Sequence, residues 1–154
     1  MKKTAVFPGS FDPITLGHVS VISRALPLFD HITIAIGVNV EKKHMFSIEQ
    51  RKLWIEKCFE NESRVSVETY TGLTIDFCRE KDIHYILRGL RTAADFEFER
   101  SIGQVNRKMD PGIESVFLLT EAHLTPITSS IVRDVIRHGG DVSGMVPGVV
   151  KIQG

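Results

Sequence analysis

The run HITIAIGV, His31 to Val38, is β-branched and apolar almost without interruption. A strand with no polar face must be covered on both sides, and a parallel sheet between helical layers does that. The rest of the chain has the same alternation. Strands are expected at Thr4 to Phe7, His31 to Val38, Val65 to Tyr70, Ile83 to Leu87 and Glu114 to Leu119. Between them lie helix patterns, the first from Gly17 to Leu28 with Val19, Ile22, Ala25 and Leu26 on one face and Pro27 distorting its last turn. Ser47-Ile48-Glu49-Gln50 is a capping box opening a helix to about Phe59. Leu73 to Lys81 and Thr92 to Met109 read as helices, and Thr128-Ser129-Ser130 caps another that Gly139-Gly140 stops after His138. The order is α/β, a five-stranded parallel sheet flanked by helices. With 154 residues and no repeat, low-complexity tract or linker, one domain over residues 1–154 is expected.

Several function classes are disfavoured at once. Lys plus Arg and Asp plus Glu are 19 each, so no global basic field points to nucleic acid. Cys58 and Cys78 make neither a C-x-x-C pair nor a zinc spacing, which suits a reducing compartment. No apolar stretch approaches the roughly 18 residues of a membrane span. The start, Met1-Lys2-Lys3-Thr4, leads into too short an apolar run for a signal peptide. A cytoplasmic protein is expected.

In open parallel sheets, ligands bind beyond the carboxyl ends of the strands. Five loops fall there: Pro8 to His18, Val38 to Lys43, Tyr70 to Thr74, Arg88 to Arg91 and Thr120 to Ser130. Polar, glycine and basic residues gather in them. The first contains FPGSFDPITLGHV, which matches neither a P-loop nor G-x-G-x-x-G. Gly9 would let backbone approach a ligand, and Gly17 would leave room at the helix start. His18 then falls in the first turn, where free N–H groups and the helix dipole favour an anion. Arg88 and Arg91 flank Gly89 at a strand end, and guanidinium forks suit phosphate oxygens. Lys42 adds a loop cation; Thr128, Ser129 and Ser130 add hydroxyls at a second helix start. Asp95 and Glu99 share a helix face. No Ser-His-Asp set, Cys-His pair or metal-holding cluster is evident.

Together, PGSFDPITLGH, ILRGLRTAADFEFE and ITSSIVRDV resemble the bacterial phosphopantetheine adenylyltransferases, in the nucleotidyltransferase superfamily with the T/H-x-G-H signature. The resemblance runs through nearly the whole chain; the RGLR…DFEFE block is its most specific part. It implies a Rossmann-like domain, usually a homohexamer, that converts ATP and 4′-phosphopantetheine to dephospho-coenzyme A and pyrophosphate. Mg²⁺ would be carried by the ATP phosphates, with no protein metal site, and coenzyme A could bind as a feedback ligand. The implied catalytic residues are His18, Lys42 and Arg91. ATP would be bound by Ser10, Phe11, His18, Gly89, Leu90, Arg91, Glu99, Leu124, Thr125, Pro126, Ile127, Thr128, Ser129 and Ser130. The acceptor would be bound by Ser10, Lys42, Thr74 and Arg88. Ser10 replaces the commoner Thr, and Pro126 departs from an aromatic-rich, triple-serine version of its stretch. The attacking phosphate oxygen is already ionised, so the transfer needs alignment and charge neutralisation rather than a general base. Two alternatives stand beside this one: a nucleotidyltransferase with another base and acceptor, such as a glycerol-phosphate cytidylyltransferase, or a non-catalytic nucleotide sensor.

Overall fold

The computed structural model describes residues 2–152; Met1, Gln153 and Gly154 of the expected domain lie outside the described residues. Its strands are β1 (Thr4–Gly9), β2 (His31–Gly37), β3 (Val65–Tyr70), β4 (Tyr85–Leu90) and β5 (Glu114–Leu119). Its helices are α1 (Leu16–Ala25), α2 (Ile48–Cys58), α3 (Thr74–Lys81), α4 (Ala93–Met109) and α5 (Ser129–Arg137). The strands form one parallel sheet in the order β3-β2-β1-β4-β5, the Rossmann-like arrangement.

The period of two along each central strand divides the core between the two faces. Ala5, Phe7, Ile32, Ile34 and Ile36 point to one side, where Ile22 of α1, Trp54 and Ile55 of α2 and Val132 of α5 cover them. Val6, Ala35 and Ile86 point to the other, against Ile75, Phe77 and Cys78 of α3. Buried Cys78 and half-buried Cys58 have thiols pushed up to about 11 by burial, so both act as small core side chains.

Element boundaries differ from expectation by a few residues, and four of the differences bear on the site. Helix α1 starts at Leu16, because Thr15 takes the N-cap. It yields to a 3-10 turn over Leu26–Leu28, with Pro27 in its first positions. Strand β4 runs on through Arg88, Gly89 and Leu90, expected as loop, because these pair with Phe117, Leu118 and Leu119 of β5. Likewise Pro8 and Gly9 stay in β1, opposite Ala35 and Ile36 of β2.

The last point shapes the molecule's main opening. β1 pairs with β2 along its whole length but with β4 only at Ala5–Tyr85 and Val6–Ile86. Pro8 has no N–H to extend a ladder. The two strands therefore part at the topological switch point, where chain direction across the sheet reverses.

Candidate active site

Two adjoining cavities open beyond the carboxyl ends of β1 and β4. The larger, about 520 Å³, is lined by the β1–α1 loop, by Arg88, Gly89 and Arg91, and by the start of α5. The second, about 380 Å³, lies among the ends of β2 and β3, the start of α3 and one side of α4. Ser10, Lys42 and Arg88 line both.

The histidine of T-x-G-H owes its place to local helix chemistry. Thr15 accepts the His18 N–H at 3.4 Å through Oγ1, and His18 Nδ1 accepts the Thr15 N–H at 3.0 Å. This is a capping box in which imidazole takes the part usually played by Glu or Gln. With Nδ1 accepting, a neutral ring carries its proton on Nε2. The ring stands edge-on to Phe11, with centroids 5.0 Å apart, and to Phe7 at 6.3 Å. Burial, then the positive charges of Arg88 and Arg91, lower its pKa from 6.5 to about 4. At neutral pH His18 is an uncharged donor on the wall of the larger cavity.

Phe11 reaches His18 through a left-handed backbone, φ 49°. A Cβ on Gly9 would stand 3.1 Å from the Phe11 ring, tighter than an ordinary contact, so a side chain there would press on the ring that packs against His18. Gly89 is packed as tightly, since a Cβ there would sit 3.0 Å from Val21 Cγ2 of α1 and would displace that methyl. At Gly17 the nearest protein atom would be 3.5 Å away, so protein neighbours alone do not demand glycine.

The cations are held by specific partners. Arg88 Nη1 donates to the Pro8 carbonyl at 2.6 Å, and its Nε and Nη2 grip Glu99 of α4 at 2.9 to 3.2 Å. The Arg91 backbone N–H and Nε both donate to Asp95 Oδ2, at 3.0 and 3.1 Å. Lys42 Nζ is 3.5 Å from Ser10 Oγ. The acidic pair of α4 is thus a counterion for two arginines rather than a solvated stripe. Among the described residues, no three His, Cys, Asp or Glu side chains gather to hold a metal.

Of the residues expected at the nucleotide, Ser10, Phe11, His18, Gly89, Arg91, Ile127, Thr128, Ser129 and Ser130 line the larger cavity. Leu90, Leu124, Thr125 and Pro126 do not. Leu90 and Leu124 are buried, and the Thr125 hydroxyl donates to the Glu121 carbonyl. Glu99 lines the second cavity instead, with Thr74, whose hydroxyl lies 2.9 Å from that of Tyr70.

Comparison with known proteins gives the family. The cytidylyltransferase-like family model matches residues 6–135. A phosphopantetheine adenylyltransferase of Flavobacterium johnsoniae is 59% identical over 151 residues, 98% of this chain and 99% of that one. One from Christiangramia forsetii is 57% identical over 149 residues, 97% and 98% of the two chains. The chain belongs to the phosphopantetheine adenylyltransferase family. It is an enzyme, a nucleotidyltransferase. A solved structure from Vibrio parahaemolyticus, provisionally described as a nicotinate-nucleotide adenylyltransferase, shares the fold. Its TM-score is 0.73 at 20% identity, covering 97% of this chain and 90% of that one.

The expected site residues leave out one cation at the larger cavity, although it lies within ITSSIVRDV. Arg133 lines it, donating to Ser130 Oγ at 3.2 Å and to the Asp12 carbonyl at 2.9 Å. Its position three and four residues after Ser130 and Ser129, on one helix face, is the available signal.

Proposed function

We propose that the two cavities hold the two substrates of one transfer, ATP in the larger and 4′-phosphopantetheine in the second. The adenylyl group passes between them at the shared wall of Ser10, Lys42 and Arg88. The products are dephospho-coenzyme A and pyrophosphate. The observation that carries this reading is the junction itself: among the described residues, the two cavities share the strand-end pair Pro8 and Gly9 and, beyond it, a hydroxyl and two cations.

The remaining roles follow from placement. Neutral His18 donates from Nε2 to the α-phosphate as negative charge builds there. Arg91, with Arg133, the hydroxyls of Thr128, Ser129 and Ser130 and the start of α5, holds the rest of the triphosphate. Lys42 and Arg88 bring the acceptor phosphate into line for attack. The exposed apolar side chains Phe98 and Ile102 of α4, with Thr74 and Tyr70, accommodate the pantetheine arm. Mg²⁺ fits this wall as a passenger on the ATP phosphates, since Asp95 and Glu99 are engaged by arginines, and it would neutralise part of the triphosphate charge. The working form is a cytoplasmic homohexamer that covers the apolar side chains Val105 and Met109 of α4, and coenzyme A, sharing the pantetheine arm, competes for the second cavity.

Pyrophosphate release by the purified protein tests the reaction. ATP, Mg²⁺ and 4′-phosphopantetheine together should release it, while CTP with glycerol 3-phosphate should not. Release with the second pair alone would replace this reading by a cytidylyltransferase. ATP binding with no release from either pair would leave a sensor.

A further inference from the structure

Asp12 has the most buried carboxylate among the described residues, in a side chain assigned no role above. Its Oδ2 accepts the Met45 N–H at 2.8 Å, and its Oδ1 accepts the Phe46 N–H at 2.9 Å. Both donors lie in the loop between β2 and α2, a few residues beyond Lys42. A buried carboxylate is costly unless its oxygens are satisfied, and here each is spent on backbone of a loop distant in sequence. The two N–H groups take different oxygens, and a hydroxyl or amide side chain offers only one acceptor oxygen in place of the two.

Neighbouring groups extend the tie. Arg51 of α2, also buried, donates from Nε to the Phe46 carbonyl at 3.0 Å and from Nη1 to the Ser10 carbonyl at 2.7 Å. Arg133 of α5 donates to the Asp12 carbonyl. Three segments that face the larger cavity therefore meet at one residue: the β1–α1 loop with Ser10, which leads into His18 of α1, the β2–α2 loop with Lys42, and the first turns of α5. At its other end the Lys42 loop is tied where it leaves β2, by the Val38 N–H to the Tyr70 carbonyl at 2.8 Å, and the Lys42 N–H closes a local turn on the Asn39 carbonyl at 3.2 Å. Between them Val40 is 94% exposed, so the only side-chain carboxylate among the described residues that reaches into the loop from another element is that of Asp12.

We propose that Asp12 is a positioning residue for Lys42, fixing its ammonium beside Ser10 where the two cavities join. This rests on the reading that Lys42 meets the reacting phosphates. An anchor of this kind acts on alignment, where a displacement of about 1 Å can cost about 10²-fold in rate.

The test is a double-mutant cycle of Asp12→Asn and Lys42→Ala on the full chain, reading kcat for pyrophosphate release and the KM for ATP. Asn keeps one acceptor oxygen and turns an NH₂ group toward the other N–H. Asp12→Asn alone should lower kcat by about 10²-fold, with a far smaller change in ATP KM. In the Lys42→Ala background the same change should cost no more than about twofold, because the group it positions is gone. Losses that simply multiply would show Asp12 acting independently of Lys42 and would overturn the inference while leaving the role of Lys42 intact. Unchanged turnover in Lys42→Ala alone would overturn both. If Asp12→Asn does not fold, Asp12→Glu, which keeps charge and acceptors but shifts them by one methylene, takes its place in the cycle: a loss that vanishes without Lys42 supports the inference, and one that multiplies overturns it.

Discussion

The two cavities share a wall yet are built differently. The larger is made mostly from short-range chemistry: Thr15 and His18 cap one helix three residues apart, and Thr128 caps the other by accepting the Ile131 N–H. The second draws its walls from β1, β2, β3, β4, β5 and α4, and its apolar side comes from Phe98 and Ile102, whose exposure looks like a surface accident. A site that recognises phosphates can be assembled from helix starts and cations. A site for a flexible arm needs apolar surface that only tertiary structure brings together.

The largest effect should come from the first kind of construction. His18→Ala removes the uncharged ring donor placed at the α-phosphate and one half of a capping box. Turnover should fall by about 10² to 10³, with ATP binding, measured by calorimetry, far less affected. Equal losses in binding and turnover would make His18 a ground-state contact and erase its distinction from the other lining groups. A smaller loss is expected at the shared wall. Glu99→Gln weakens the charge-assisted hold on Arg88; losing about 1.4 kcal/mol of it corresponds to roughly tenfold in kcat/KM for the acceptor. If ATP rather than 4′-phosphopantetheine were the substrate whose kinetics changed, Glu99 would belong functionally to the larger cavity.

Phe98→Ala probes the second cavity alone. Phe98 is 66% exposed, so the gain comes only from what a bound arm covers. About 1 kcal/mol of apolar contact corresponds to roughly fivefold in acceptor KM. The ATP KM should not move, and size-exclusion chromatography on the same variant would separate an effect on assembly from one on binding. No change in acceptor KM would place the arm elsewhere.

The same contrast explains what is legible in the sequence. The β-branched run at His31 to Val38 implies burial on both faces, and from that comes the parallel sheet. T-x-G-H and the Thr128–Ser130 cap can be read because their partners lie within four residues. Arg88 and Arg91 are legible as cations, but not the carboxylates that hold them, since Asp95 and Glu99 have the same spacing as any solvated helical pair. Strand β4 reads as Ile83 to Leu87, too early at both ends: the apolar Ile83 is buried ahead of the strand, and Arg-Gly resembles a turn, whereas pairing with β5 runs from Tyr85 to Leu90. Asp12 is silent: its partners are 33 and 34 residues away and are backbone N–H groups, which carry no sequence identity.

The smallest effect distinguishes the cavities by pH. In the free protein His18 is held neutral down to about 4, against 6.5 for an unperturbed ring. Between those values the unfolded chain binds a proton at this position and the folded chain does not, so stability falls as pH drops through the window and the His18 contribution levels off below it. His31 and His44 are shifted in the same direction, chiefly by burial, and remain in every variant. Urea midpoints at about pH 7 and about pH 5 should therefore approach each other in His18→Asn relative to the unsubstituted chain. Phe98→Ala, which changes no titrating group, should keep the full difference. If His18→Asn kept it as well, the imidazole would be solvated in the free protein, and Arg88 and Arg91 would not be the charges that keep it neutral.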